Sequence, residues 1–408
     1  MNNREKVVIV GAGMAGLTAS AYLAKSGYEV LLLEKNNRTG GLLGTFEKEG
    51  FSFDSGPRAL VNSGIVKPVL KELGIEWNFL PNQISIGIED QLFQVKSIKD
   101  LEEYKRILIE LYPQDQQDID KIIKSINDLS EYTRVLYEFD NPYFGDAFSD
   151  KQYVVKKLLP WTFKFLKSLR KFDQFNMPME EYLSGLTKNQ SIIDILIQHF
   201  FKKTPTYFAL GYFYVYLDYF YPQGGTSVLK DLMVKKVEQW GGKIELNKQV
   251  TRVVPSAAKV VDAEGREYHY DHLIWAADLK TLYLNLDPIG LEDMTTARVE
   301  SEKDRILASK GSESVFIMCL GVNRPPSYFK ERGGEHFFYT PSRKGLGEVN
   351  HSLRLHLIEH FDEYSKAEVL HWLDQYLDLN TYEISIPVLR DPALAPQGQT
   401  GVMASCLF

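Results

Sequence analysis

Only two cysteines, Cys319 and Cys406, occur in 408 residues. They lie far apart in the chain, which leaves no disulfide framework and no CxxC redox pair. Basic charge is not in excess: 47 Lys and Arg stand against 54 Asp and Glu, for a formal net charge of −7. A dedicated nucleic-acid binder is normally basic, so no nucleic-acid partner is expected. No run reaches the roughly 18 apolar residues of a membrane span. The opening "MNNREK" passes straight into a strand pattern without a secretory h-region, and a reducing, cytoplasmic setting is the expectation. GxSxG and HExxH are both missing, which removes the usual hydrolase elbow and zincin readings. His351, His356 and His360 have no carboxylate frame around them, and no metal site is expected. The N-x-S/T matches at Asn37, Asn189 and Asn350 carry no weight without a secretory signal. There is neither an internal repeat nor a low-complexity tract. What remains is a chain with 44% apolar and 25% charged residues, ordinary for a globular enzyme. Its length allows two domains or one large doubly wound unit.

What is present is concentrated at the start, in "VVIVGAGMAGLTASAYLAKSGYEVLLLEK". A buried β-branched strand runs into Gly11, Gly13 and Gly16. Gly11 allows the turn, Gly13 lets backbone approach a pyrophosphate, and Gly16 lets the next helix pack on the sheet. Met14 and Ala15 sit in that helix's first turn, whose N–H groups and dipole favour phosphate. A second strand then ends in Glu34, followed by Lys35. A carboxylate there accepts from ribose hydroxyls and repels a 2′-phosphate, which disfavours NADP. The glycine motif is shared by NAD and FAD proteins, and "RTGG" separates them. Gly40 and Gly41 supply a second glycine loop under the pyrophosphate, and "GFSFDSGPRAL" brings the chain back beside the cofactor with Asp54, Gly56 and Pro57, and with Arg58 next to them. FAD is the expected cofactor.

These residues resemble the phytoene desaturase and carotenoid isomerase family within the amine-oxidase-like flavoproteins. "YPQGGTSVLKDLMVKKVEQWGGKIELNKQVTRVV" is similar to that family's P-x-G-G segment, helix and strand. "YDHLIWAAD" resembles its strand back to the flavin, and "DPALAPQGQTGVMASCLF" its late DP-x-x-AP strand. The resemblance implies a non-covalent FAD oxidoreductase that desaturates or isomerises long polyene lipids. It also implies that backbone near Val250 reads the adenine edge. Two arginines common in relatives are replaced by Asn36 and Leu42, and Arg38 or Arg58 is the candidate to compensate. Arg58 is also the one candidate catalytic group near the flavin. The family closes its flavin site with a C-terminal G-D turn and glycine-rich helix. Nothing like them follows Phe408, so the sequence reads as a truncated form.

The expected fold is α/β: a discontinuous Rossmann-like FAD-binding domain, an α+β substrate domain, and no C-terminal FAD-closing segment. Residues 1–80 and 221–289 form the first domain; residues 81–220, mainly helical, and 290–408 form the second. Glu264-Gly265 reads as a hairpin turn. "DLEEYKRILIELY" places Leu101, Tyr104, Leu108 and Leu111 on one helix face. Two further stretches bear on the substrate. Nine Tyr or Phe residues fall between 207 and 221, a density that suits either a channel for a flat conjugated chain or an aromatic core helix. In 156–172, Trp161, Phe165, Leu169 and Phe172 recur at helical spacing, with Lys164, Lys167 and Lys171 on another face. That pattern fits a helix lying in a membrane interface, and equally one covering the core. The functional expectation is an FAD-dependent oxidoreductase acting on a hydrophobic polyene or other lipid. An amine or protoporphyrinogen oxidase, and a binding protein that has lost turnover, remain open. Nothing in the sequence sets an oligomeric state.

Overall fold

The computed structural model describes residues 4–142, 148–311 and 313–407, without the side chains of 348–351. Strand β1 (Lys6–Val10) leads into helix α1 (Met14–Lys25) and strand β2 (Glu29–Leu33). Far downstream, β3 (Ile84–Ile88) and β4 (Gln91–Val95) form a hairpin. Four helices follow that matter below: α2 (Leu101–Leu111), α3 (Gln116–Tyr137), α4 (Leu159–Asp173) and α5 (Thr206–Val215). Then come α6 (Val228–Gln239), β5 (Lys243–Glu245) and β6 (His272–Trp275), and finally β7 (Val315–Val322), β8 (His336–Thr340), α7 (Lys366–Leu379), β9 (Tyr382–Ser385) and β10 (Thr400–Leu407).

The first sheet is parallel throughout, in the order β5-β2-β1-β6. It therefore takes two strands from the start of the chain and two from beyond residue 240. Both faces are covered, which is why β1 reads as an unbroken apolar run. Val7 and Ile9 point to a cluster with Leu17 and Ala21 of α1 and Met233 and Val237 of α6. Val8 and Val10 point the opposite way, onto Val250, Val253, Val260 and Tyr268. Those last residues belong to an antiparallel meander of Val250–Val254, Lys259–Asp262 and Glu267–His269. Its second turn holds Gly265 at φ +83°, as the hairpin reading requires.

The second sheet has six strands in the order β7-β10-β9-β8-β3-β4. Only the β8–β3 pairing is parallel; the others are antiparallel. Ile84, Ile88, Phe93 and Phe338 join the largest core with α2, α3 and α5. The expected face of α2 is the buried one: Leu101, Tyr104, Leu108 and Leu111 all lie inside.

Helix α4 departs from expectation in one respect. Trp161 and Phe172 of the predicted interface stripe turn inward: Trp161 Nε1 donates to the Val135 carbonyl at 2.7 Å, and Phe172 is buried against Tyr132 and Tyr207. Phe165 follows Trp161, ring centroids 4.9 Å apart. Only Leu169 of that set is exposed. A second apolar line, Val155, Leu159, Phe163 and Leu166, faces solvent instead. Among the described residues no helix is long and apolar enough to cross a membrane.

Candidate functional site

A cleft of about 1150 Å³ opens at the C-terminal ends of β1 and β2, where doubly wound sheets bind their ligands. Gly11, Gly13, Met14 and Ala15 line it from the first turn, Glu34 and Lys35 from the end of β2, Gly40, Gly41, Leu42 and Pro57 from the loops above, and Val250 from the start of the meander. Gly16 lies beneath the cleft, where a Cβ would stand 1.9 Å from the Gly11 carbonyl oxygen. At Gly13 a Cβ would meet nothing within 4 Å; the space beside that backbone belongs to the cleft. Helix α1 carries no side-chain N-cap and no acid in its first turn. Its first N–H groups and positive dipole end are left for an anion. The second glycine loop sits directly on the first, with Gly40 N donating to the Ala12 carbonyl at 2.8 Å.

Glu34 is buried and already tied to the loop. Its Oε2 accepts from Ala12 N at 2.8 Å, and its Oε1 from Asn36 N and Nδ2 at 2.9 and 2.7 Å. Oε2, with a single donor, keeps a further lone pair for a ribose hydroxyl. Asn36 thus orients the acid. Val250 stands on the opposite wall, its carbonyl accepting from Asn285 Nδ2 at 3.2 Å. The expected compensating arginines do not reach the cleft. Arg38 is exposed and outside the cleft lining; Arg58 and Gly56 line the neighbouring cavity. Lys248 supplies a cleft cation instead, together with Lys35. Trp275, Asp278 and Thr281 also line the cleft; the "WAAD" segment signalled their approach without naming them.

The turn Pro222-Gln223-Gly224-Gly225 is pinned by two aspartates. Asp54 accepts from Thr226 N (3.0 Å), Thr226 Oγ1 (2.9 Å) and Tyr221 Oη (2.6 Å), and Asp391 from Gly224 N (2.8 Å). A dinucleotide fits this set of donors, acceptors and open backbone. Two buried donors near the junction, Arg58 Nε and Nη2, have no partner among the described residues.

A second cavity, of about 840 Å³, adjoins the cleft at Leu42 and Pro57, which line both. Leu42 is 86% exposed between them. Phe200, Phe208, Tyr212, Tyr216, Tyr219 and Phe338 form much of its wall. The aromatic run is thus partly lining and partly core: Phe213 and Phe220 are buried, and Tyr221 turns toward Asp54. Tyr212 and Tyr219 share a hydrogen bond of 2.7 Å between their hydroxyls. Burial pushes the phenols of Tyr212, Tyr216 and Tyr219 up, so all stay neutral. A smaller apolar pocket continues past His199, Phe200 and Tyr216 toward Ile86, Ile126 and Leu210.

Two charged groups that pair with each other, Glu383 and Arg58, line this aromatic cavity. Glu383 of β9 accepts from Arg58 Nη1 at 2.5 Å and from His336 Nε2 at 2.8 Å. No sequence signal joined these three residues. Of the histidines considered for metal, His356 and His360 stack on one another, bond Tyr364 and Glu363 respectively, and form no ligand group among the described residues. The His351 side chain lies outside those described.

The chain matches the family of flavin-containing amine oxidoreductases over residues 14–349. It is 25% identical over 413 residues to a 4,4'-diapolycopene oxygenase of Methylomonas sp, covering 97% of this chain and 74% of that protein. With a 4,4'-diapophytoene desaturase of Staphylococcus aureus it shares 24% identity over 414 residues, at the same coverage. The structure of an oxidoreductase from Methanosarcina mazei superposes with a TM-score of 0.61 at 15% identity, covering 99% of this chain and 79% of that one.

Proposed function

The chain belongs to the flavin-containing amine oxidoreductase family, and from that footing we propose that it desaturates or isomerises a long acyclic polyene. It is an FAD-dependent oxidoreductase. In the proposed arrangement residues 1–80 and 221–289 hold the cofactor, and 81–220 with 290–408 hold the substrate. The observation that carries the substrate reading is the aromatic cavity of about 840 Å³ meeting the cleft at Leu42 and Pro57. Flat rings pack on a conjugated chain, and neutral phenols give it a dry, uncharged bed. When bound, FAD supplies a two-electron acceptor for C–H bonds. The N-terminus of α1 and Gly13 would take its pyrophosphate, Glu34 its ribose, and the wall at Val250 its adenine. The cavity's task is then to exclude water and place one substrate bond beside Leu42.

A polyene must be drawn from lipid, and α4 offers a contact. Val155, Leu159, Phe163 and Leu166 face outward, with Lys156, Lys157, Lys164 and Lys167 exposed among them. Apolar side chains framed by lysines favour an anionic bilayer surface. The substrate reading is tested by mixing the FAD-loaded protein anaerobically with an acyclic C30 or C40 polyene. Loss of the flavin's visible absorbance with a red shift of the polyene is expected. Loss with primary amines, and none with polyenes, would return the protein to the amine-oxidising branch of its family.

A further inference from the structure

We propose that Glu383 is a catalytic carboxylate, a fixed anion that faces the substrate carbon as it gives up hydride and that takes the proton lost from the neighbouring carbon. The inference rests on the substrate reading above. Its basis is a chain of donors that ends on one side chain. Arg390 Nη1 donates to Asn82 Oδ1 at 2.6 Å, which fixes the orientation of that amide. Asn82 Nδ2 therefore faces His336 Nδ1 as a donor, at 2.9 Å. His336 must then carry its proton on Nε2, and it donates this to Glu383 Oε1. Arg58 donates to the other oxygen. Every hydrogen bond in the chain points toward the carboxylate, so Glu383 has no proton donor role to play and accepts on both oxygens.

The exposure of the three partners is uneven. The side chains of His336 and Arg58 are 0% and 4% exposed, that of Glu383 27%, and Glu383 is on the cavity wall. His336 stands behind the wall; Arg58 and Glu383 both line the cavity, and the acid is the more exposed of the two. An ion pair that only tied the loop at Arg58 to β9 would gain nothing by turning its anion into an aromatic cavity, where an unneeded charge is costly. Burial by itself would raise the Glu383 carboxyl, but the His336 hydrogen bond and the Arg58 charge outweigh it and hold the group at about 2. The acid is accordingly ionised at any working pH.

Such a weak base suits the reaction. With FAD bound as the two-electron acceptor, one substrate C–H bond would break with its electron pair leaving as hydride. Positive charge develops on that carbon, spread over the conjugated chain, within reach of the anion. The adjacent C–H bond then releases its proton to Glu383 and its electron pair closes the new double bond. A carbocation's neighbouring proton is so acidic that even this carboxylate removes it, and the low pKa returns the proton to solvent afterwards. Arg58, the group marked in the sequence as a catalytic candidate, is by this account a positioning residue.

Glu383→Gln keeps the shape and removes the charge. With the wild type and this variant both reconstituted with FAD, anaerobic flavin reduction by an acyclic C30 polyene should slow by at least ~100-fold in the variant, while FAD affinity stays the same. A second readout needs no turnover: the FAD-free protein should bind a C30 polyene bearing a quaternary ammonium about tenfold or more tighter than its neutral amide counterpart, and Glu383→Gln should abolish that preference. Glu383→Asp, which keeps the charge but withdraws it, should retain the preference in part and serves if the glutamine variant does not fold. Equal reduction rates in wild type and variant would overturn the role of Glu383 and leave the polyene reading standing. A wild type reduced by no polyene, but with an ammonium preference that depends on Glu383, would sink the polyene reading and keep the anionic site.

Discussion

Gly13 and Gly16 are three residues apart and answer to different constraints. At Gly16 an added Cβ would sit 1.9 Å from the Gly11 carbonyl oxygen, whereas at Gly13 nothing stands within 4 Å. Gly16→Ala is therefore expected to lower stability by roughly 1–3 kcal/mol through backbone displacement, seen as a lower thermal midpoint without added FAD. Gly13→Val should leave that midpoint nearly unchanged and weaken FAD binding at least tenfold, since its side chain fills space reserved for pyrophosphate. Titration of FAD against flavin fluorescence separates the two; equal affinity in Gly13→Val and wild type would misplace the phosphate site. Glu34→Arg should also cost affinity, as hydrogen bonds to a charged group are worth about 1.5–3 kcal/mol, though part of the loss comes from freeing Ala12 N and Asn36. These positions were legible because a phosphate turn fixes glycines and acid at set spacings in one short segment. Glu383 was not: its partner Arg58 is 325 residues away, and nothing local marks a residue whose role depends on a neighbour brought in by sheet pairing.

Secondary structure followed the sequence patterns closely where one face of an element is apolar. Helix α2 buried the face its periodicity marked, and β1 kept apolar residues on both sides because helices cover one face and the meander the other. Helix α4 shows the limit of that logic. Its periodicity is helical, but the helix has two apolar lines, and a pattern cannot say which of them meets the core. Trp161 and Phe172 went in, held by the Val135 carbonyl and by Tyr132 and Tyr207; Phe163, 74% exposed, and Leu166 stayed out. The aromatic run of 207–221 divided for a similar reason. It breaks into α5, a short turn and a strand, so its rings point to different surroundings. For membrane contact the consequence is specific. Phe163→Glu with Leu166→Glu should reduce cosedimentation with anionic liposomes more than charge reversal of Lys164 and Lys167, because a buried Phe or Leu is worth about 1.5–3 kcal/mol against roughly 1 for a basic residue near the surface. Trp161→Ala should instead destabilise the fold. If Phe163→Glu/Leu166→Glu sediments like wild type, α4 does not meet the bilayer.

At the scale of the whole molecule, the second sheet and α5 enclose a cavity whose titrating walls make the fold sensitive to acid. His199 lies between the large cavity and its smaller extension, its ring tilted against those of Phe200 and Phe338. Burial pulls its imidazole down to about 4, with the Glu383 charge opposing only in part. His336 is lowered as well, first by burial. A histidine whose folded pKa lies below its unfolded value of about 6.5 is protonated first in the unfolded chain. Its contribution is therefore complete above pH 6.5 and is lost as pH falls toward 4. Glu383 follows in a lower window: depressed to about 2, against roughly 4.3 unfolded, its contribution persists above that value and fades as pH falls to 2. Acid should thus weaken the protein in two stages, histidines first. For His199 alone the loss by pH 4 is roughly 3 kcal/mol. His199→Phe keeps a ring in the wall and removes the titration, so its denaturant-unfolding free energy should fall less steeply than wild type between pH 6.5 and 4. The two proteins should then become parallel only about a unit below pH 4, once His199 is protonated in the folded state as well. Parallel curves already at pH 6 would show that His199 is solvated in the native cavity, and that the wall beside the cofactor cleft is wetter than a polyene channel requires.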